Sequence, residues 1–246
     1  MYKLLTKHNY SIPICSIFLT IILGSCAAHM AMPIELENDS TKMSVEGRAF
    51  SDFSGEFDFG KYHVTNIHRG WTKRSDVTIL GSGSSKVEQK YQFSVDESGD
   101  NLWTVECVSD ASWDHATLGE FLGGKISLES SSDPQLVCKV IGNSNTEVAA
   151  IIMSQSYDSI MLQGDVIDGK TNIDISGVDK FSTSSLSMGQ ATGYVFSINQ
   201  NPIGAVEVIN SGNVWISKST NQEEKSLISV TSAAMLLYQD IKKGSS

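Results

Sequence analysis

The most distinctive reactive group in the sequence is a thiol that follows two small residues. Leu23-Gly24-Ser25-Cys26 ends an apolar run that covers residues 11–24, and the residues before this run carry lysines and no acids. A basic start, a short apolar run and small residues at its end are typical of a secretory signal. The run is too short for a comfortable transmembrane helix, which needs about 20 apolar residues. The sequence therefore predicts export and cleavage near Cys26.

The same tetrapeptide resembles the lipobox of bacterial lipoproteins, in which an aliphatic residue and two small residues precede a cysteine. The resemblance implies that residues 1–25 are removed as a signal peptide and that lipid is attached to Cys26, on its sulfur and its new amino terminus. Two or three acyl chains give stable membrane anchoring, whereas one is marginal. Since Ala27 and no aspartate comes next, the sorting rule of bacteria with two membranes implies the outer membrane, facing the periplasm. The alternatives are an ordinary signal cut after Ala28 or Ala31, and an uncleaved anchor helix.

Two cysteines, Cys107 and Cys138, belong to the mature body of the protein, because Cys15 leaves with the signal. Each lies in a short apolar run, LWTVECV or QLVCKV. An exported chain meets an oxidising compartment, so the pair predicts a disulfide. The alternative is two unpaired buried thiols. A zinc site is disfavoured, because neither cysteine has CxxC spacing or a nearby histidine.

The histidines do not fall into a known catalytic or metal-binding pattern. His63 and His68 are an odd number of residues apart on a predicted strand, which places them on opposite faces and makes them a poor metal pair. His115 follows Asp114 and is a conceivable general base, but a polar loop residue is the simpler interpretation. The sequence contains no GxSxG, HExxH, Walker or GxGxxG motif. We therefore predict no catalytic residue, no metal and no cofactor.

Composition indicates an acidic globular protein. The chain has 246 residues, a formal net charge of −10 and 40% hydrophobic residues. Loss of the lysine-bearing signal makes the mature chain more acidic still. Such a charge disfavours binding to nucleic acid or to anionic lipid headgroups, and the apolar content fits a packed core.

The body of the chain is rich in predicted strands. Residues 26–47 have no sustained hydrophobic period and are predicted to be a flexible tether. Residues 48–246 form one predicted β-rich domain, with about twelve short runs of β-branched and aromatic residues separated by turns. Asp168-Gly169 is the clearest type I′ hairpin turn. Because the links are short, we expect antiparallel pairing.

A helix is predicted at residues 222–243, with acids at its start and lysines at its end. Its middle, residues 227–238, has no charge and is apolar on nearly every side, so it must be buried on every side. The simplest arrangement is an antiparallel, barrel-like sheet that closes around the helix. A helix held between a sheet and a partner protein is the alternative.

Strands followed by a buried terminal helix, best seen in residues 190–241, resemble the tubby C-terminal and phospholipid-scramblase-like superfamily. The resemblance implies a mainly β fold in which about twelve strands wrap a central C-terminal helix. The basic phosphoinositide-binding cluster of the tubby proteins has no counterpart here, so phosphoinositide binding is not implied. A lipocalin-like barrel and a β-sandwich with a packed helix are the alternative folds.

The anchor and the missing catalytic motifs together predict a lipid-anchored cell-envelope lipoprotein that acts as a non-enzymatic interaction or structural module. Its expected partners are the membrane, through the lipid on Cys26, and a protein of the envelope, with no nucleic acid. Two alternatives remain open. One is a barrel that handles a lipid or small ligand, and the other is an unfamiliar envelope hydrolase.

Overall fold

The computed structural model describes residues 28–48, 55–70, 73–79, 82–109, 122, 134–142, 148–155 and 161–244. The predicted signal peptide, the predicted lipidation site at Cys26, and His115 lie outside the described residues. Within them the chain forms two helices, α1 (Ile34–Asp39) and α2 (Gln222–Gly244). The strands are β1 (Ser40–Glu46), β2 (Phe57–Phe59), β3 (Tyr62–Arg69), β4 (Lys73–Ile79), β5 (Ser82–Glu97), β6 (Asp100–Ser109), β7 (Pro134–Gly142), β8 (Val148–Gln155), β9 (Leu162–Ile167), β10 (Asn172–Val178), β11 (Gly193–Ile198), β12 (Asn201–Glu207) and β13 (Asn213–Ser217).

Twelve of the described strands close into one antiparallel barrel. The order around the barrel is β3-β2-β1-β13-β12-β11-β10-β9-β8-β7-β6-β5, and β5 pairs with β3 to close the ring. β4 pairs with the first part of the long strand β5 and lies outside the ring. The predicted antiparallel, barrel-like sheet is therefore confirmed.

Helix α2 lies inside this barrel. It contacts β6 and β12, which are on opposite sides of the ring, and also β5 and β13. Every residue from 226 to 238 is buried, as the apolar sequence of this stretch requires. The predicted helix is thus confirmed, and it runs through the barrel interior. In the described part of the chain, no helix is long and apolar enough to cross a membrane.

The barrel has two distinct ends. Strand registers bring the connection between β10 and β11 and the turn between β12 and β13 to one end, which we call the strap end. The turns after β5, β9 and β11 lie at the other end, which we call the far end. Helix α2 enters at the far end, because residues 218–221 lead into it from the last position of β13.

The hairpin at Asp168-Gly169 is confirmed, but its turn is not type I′. Only Gly169 has a positive φ, of 85°, whereas a type I′ turn needs positive φ at both central residues. The Asp168 carboxylate instead accepts hydrogen bonds from the backbone N–H groups of Lys170, at 2.7 Å, and Thr171, at 2.6 Å. This aspartate stabilises a four-residue turn through its side chain.

The predicted tether at residues 26–47 is wrong for the described residues 28–47. Residues 28–39 form a segment, which we call the strap, that crosses the outer face of the barrel and contains α1. Residues 40–46 form β1, a full barrel strand that pairs with β13 and β2. The domain therefore begins well before residue 48.

The predicted disulfide between Cys107 and Cys138 is present. The two cysteines are directly opposite each other on β6 and β7, with their Cα atoms 4.0 Å apart. Their sequence separation is 31 residues. A loop of this length should stabilise the fold by about 3–4 kcal/mol on the chain-entropy model.

Candidate functional site

A buried carboxylate holds the start of the strap to the barrel. Glu207, at the strap end of β12, is fully buried on the outer face. It accepts hydrogen bonds from the backbone N–H of Met30, at 3.2 Å, and from the side-chain amide of Asn213, at 2.5 Å. Nδ1 of His29 lies 3.1 Å from the same carboxylate. Asn210 also donates to the carbonyl of Ala28 at 3.1 Å, so the strap is fixed from its first described residue.

Apolar contacts hold the rest of the strap in place. Met30 and Leu36 are buried, and they pack on side chains that β11, β12 and β13 direct outward. The residues in this outer cluster are Met30, Leu36, Val195, Ala205 and Trp215, with Met32 and Val178 packed against them. The cluster shows why the segment is ordered although its sequence has no period, because the apolar positions needed are few and widely spaced.

The connection between β10 and β11, which we call the serine-rich loop (residues 179–192), pairs with the strap. The N–H of Ala31 donates to the carbonyl of Lys180 at 2.9 Å, and the N–H of Ser182 donates to the carbonyl of His29 at 2.8 Å. Met30 and Phe181 form an antiparallel bridge between these bonds. The strap and the loop therefore behave as one two-stranded unit at the strap end.

The serine-rich loop is also closed on itself. The N–H of Met188 donates to the carbonyl of Asp179 at 2.8 Å, and the hydroxyl of Ser187 donates to the Asp179 carboxylate. Thr192 closes the base of the loop, because its hydroxyl lies 3.0 Å from the carbonyls of both Val178 and Lys180 and shares its one hydrogen between them. These bonds hold the tip in a defined conformation before anything binds to it.

Apolar side chains project from the tip of this loop into solvent. Leu186 is 73% exposed and Met188 is 42% exposed. Among the side chains that the structure describes, the one other large hydrophobic residue with such exposure is Ile34, on the strap, at 65%. All three exposed apolar residues thus belong to the strap or to the loop that pairs with it.

Hydrogen bonds attach side chains of the barrel to the backbone of α2. The hydroxyl of Tyr91, on β5, donates to the carbonyl of Ala234 at 3.2 Å. Burial raises the pKa of Tyr91 well above its ordinary value, and nearby Tyr238 raises it further, so the phenol stays protonated and remains a donor. Arg48 donates to the carbonyls of Leu236, at 3.1 Å, and Val208, at 3.3 Å. The helix is thus attached to the barrel at two places, at Tyr91 on β5 and at Arg48, which follows β1.

The predicted orientation of the two histidines on β3 is wrong. His63 and His68 lie on the same, outer face, because a β-bulge at Asn66 (φ 51°) inserts one extra residue between them. Nδ1 of His63 is 2.6 Å from the carboxylate of Asp58 in an exposed pair. Within the described ranges, no group of three or more His, Cys, Asp or Glu side chains is placed to hold a metal.

No family model, curated protein or solved structure matches the chain. The resemblances to the lipobox and to the tubby-like superfamily therefore stay predictions. The candidate site is the strap end, where the strap and the serine-rich loop meet. Sequence reasoning missed it, although one signal was present: β11 and β13 are apolar at consecutive positions, which is typical of strands covered on both faces.

Proposed function

We propose that the chain is a lipid-anchored cell-envelope lipoprotein whose barrel is a non-enzymatic interaction or structural module. The observation that carries this proposal is the position of α2. The helix occupies the barrel interior, and its side chains from 226 to 238 are buried against the surrounding strands. A barrel that carries a ligand needs a concave, accessible space, and here that space is taken by the chain's own helix.

A filled barrel makes its contacts with its outer surface and its ends. The wall is stiffened by the Cys107–Cys138 disulfide and by the hydrogen bonds from Tyr91 and Arg48 to the helix. A rigid body of this kind is suited to hold a fixed surface toward a partner. The disulfide also supports export, because such bonds persist in oxidising compartments.

The anchoring part of the proposal rests on Leu23-Gly24-Ser25-Cys26 and on Ala27, the residue after it. Lipid on Cys26 would place the domain at a bacterial membrane, and Ala27 favours the outer membrane facing the periplasm. The proposed partners are this membrane and a protein of the envelope. The acidic net charge of −10 is consistent with an anchor made of acyl chains, since it disfavours electrostatic attraction to anionic lipid.

The test is intact mass and membrane fractionation of the full chain expressed in a bacterium with two membranes. The wild type should give a mass that begins at residue 26 and includes acyl groups, and it should fractionate with the membrane. Cys26→Ala should lose both the acyl mass and the membrane association. Cys15→Ala is the matched control, because it removes a cysteine from the signal and should leave the mature product unchanged.

Two results would overturn the proposal. A product without acyl groups that behaves like the Cys26→Ala variant would remove the anchor. A native mass spectrum of the purified protein with a small molecule bound in stoichiometric amount would favour the ligand-handling alternative. The expected spectrum shows the polypeptide and its acyl groups alone.

A further inference from the structure

The distance between the proposed lipid and the folded barrel is very short. Ala28 is already hydrogen-bonded to Asn210, and Met30 is already buried. Only Ala27 separates Ala28 from Cys26, so the Cα atoms of residues 26 and 28 are at most about 7 Å apart. The headgroup layer of one leaflet is about 5–8 Å thick. Lipid on Cys26 would therefore bring the strap end down to the membrane surface.

The serine-rich loop lies beside the point where the anchor would leave the barrel. Ser182 donates to the carbonyl of His29, three residues after the proposed lipid-bearing cysteine. Leu186 and Met188 come later on the same loop and are exposed. The loop is held closed through Asp179, so insertion of its tip would require little additional ordering of the chain.

Charge favours the tip of the serine-rich loop over the turns at the far end of the barrel. Residues 181–192 contain no charged side chain, in a chain whose net charge is −10. An acidic surface would be repelled by anionic lipids, whereas an uncharged tip with serine hydroxyls and two apolar side chains suits the interfacial layer. The far end carries charged side chains in its turns and at the strand ends beside them, including Glu97, Asp168 and Lys170.

We propose that the serine-rich loop is a second membrane contact, in which Leu186 and Met188 insert into the bilayer that holds the lipid on Cys26. The barrel is then held with the serine-rich loop nearer the membrane than its far end. This inference rests on the proposed lipid anchor and deepens it, because it gives the anchored domain one orientation. The partner that the exposed apolar tip binds is thus the lipid bilayer itself.

The experiment measures the depth of a fluorophore attached to the loop of the lipidated protein. Leu186→Cys supplies a single reactive thiol, because Cys107 and Cys138 are bonded to each other and the Cys26 sulfur carries lipid. The label is NBD, and the protein is reconstituted into phosphatidylcholine vesicles with or without a nitroxide-labelled lipid. The matched control is Asp100→Cys, an exposed position at the far end. The two ends are separated by the length of a strand, about 20 Å for seven-residue strands such as β10.

We expect the label at residue 186 to be quenched several-fold more than the label at residue 100, with emission shifted to the blue. If mass spectrometry shows full lipidation and the two labels are quenched equally, the membrane contact is wrong while the anchor stands. If a soluble envelope protein shields the label at residue 186 from water and vesicles do not, the tip is a protein-docking site and the inference is also wrong. If the chain carries no lipid, both the anchor and the membrane contact fail.

Discussion

Strands β11–β13 and strands β9–β10 belong to the same barrel, but they are covered differently. β13 is buried at all five positions, and β11 is buried at its first four. β10 begins with strict alternation between exposed and buried positions. The first group has α2 against its inner face and the strap against its outer face, whereas β9 and β10 are covered mainly from inside.

The difference explains why the apolar patterns of these strands are unlike. A strand covered on one face alternates, because every second side chain meets water. A strand covered on both faces has no reason to alternate, so GYVFSI and NVWIS are nearly continuous apolar runs. Such runs in an antiparallel barrel indicate a second layer outside the wall, and here that layer is the strap.

The largest expected effect comes from Leu36→Ala, which removes the main apolar contact between α1 and the outer face. Leu36 is 1% exposed and packs in the cluster with Trp215 and Ala205. Truncation of a buried leucine should lower the free energy of unfolding by about 2–3 kcal/mol. Urea denaturation followed by tryptophan fluorescence measures the change.

Ile34→Ala is the matched control, because Ile34 lies on the same helix and is largely exposed. It should change the free energy of unfolding by no more than about 0.5 kcal/mol. Equal effects of the two substitutions would mean that the strap does not form a structural layer in solution. The strap could then not explain why β11–β13 and β9–β10 have different burial patterns.

A smaller effect is expected from Glu207→Gln, which keeps the shape of the side chain and changes its hydrogen bonding. The carboxylate accepts from the Met30 N–H and from the Asn213 amide. A glutamine would bring an NH2 group toward these donors, so unfolding should become easier by about 1–2 kcal/mol. Glu223→Gln removes the same charge from an exposed pair with Lys170 and should have almost no effect. Urea denaturation of both variants measures the two changes in the free energy of unfolding. A similar decrease in both variants would show that the loss of a negative charge alone is responsible.

Much of the fold could be predicted because its local patterns agree with its topology. The strands are short, β-branched and joined by tight turns, which favours antiparallel pairing. The uncharged stretch from 227 to 238 required burial on every side, and a closed sheet satisfies that requirement. The cysteines on β6 and β7 were predicted to bond from compartment chemistry alone, without knowledge of their register.

The strap end could not be predicted in the same way, because its stability comes from contacts distant in sequence. Glu207 binds the strap at Met30, which lies 177 residues earlier in the sequence. Within residues 28–39, two buried apolar side chains are sufficient to hold the strap on the barrel, and two such positions produce no detectable hydrophobic period. The bulge at Asn66 is similar: one inserted residue reverses the face of His68, and no local pattern indicated it.

The smallest effect is expected from a substitution of Asp165, which lies on β9, one of the strands that are covered mainly on one face. Burial raises the pKa of Asp165 above its ordinary value of 3.8, and Asp174 on the neighbouring strand adds to the rise. Since the pKa is higher in the folded state, the ionised group destabilises the fold at neutral pH. Below pH 3.8 the group is protonated in both states and this penalty is absent.

Asp165→Asn should therefore raise the free energy of unfolding at pH 7 by about a few tenths of a kcal/mol, a small figure because the side chain is partly exposed. The gain should disappear as the pH falls through the raised pKa toward 3.8 and below, which urea denaturation at a series of pH values can track. Asp100→Asn, which removes a carboxylate from an exposed position, is the matched control. A gain that stays constant with pH would show that the amide acts through packing, and the outer face of β9 would then resemble the covered strands more than its burial pattern indicates.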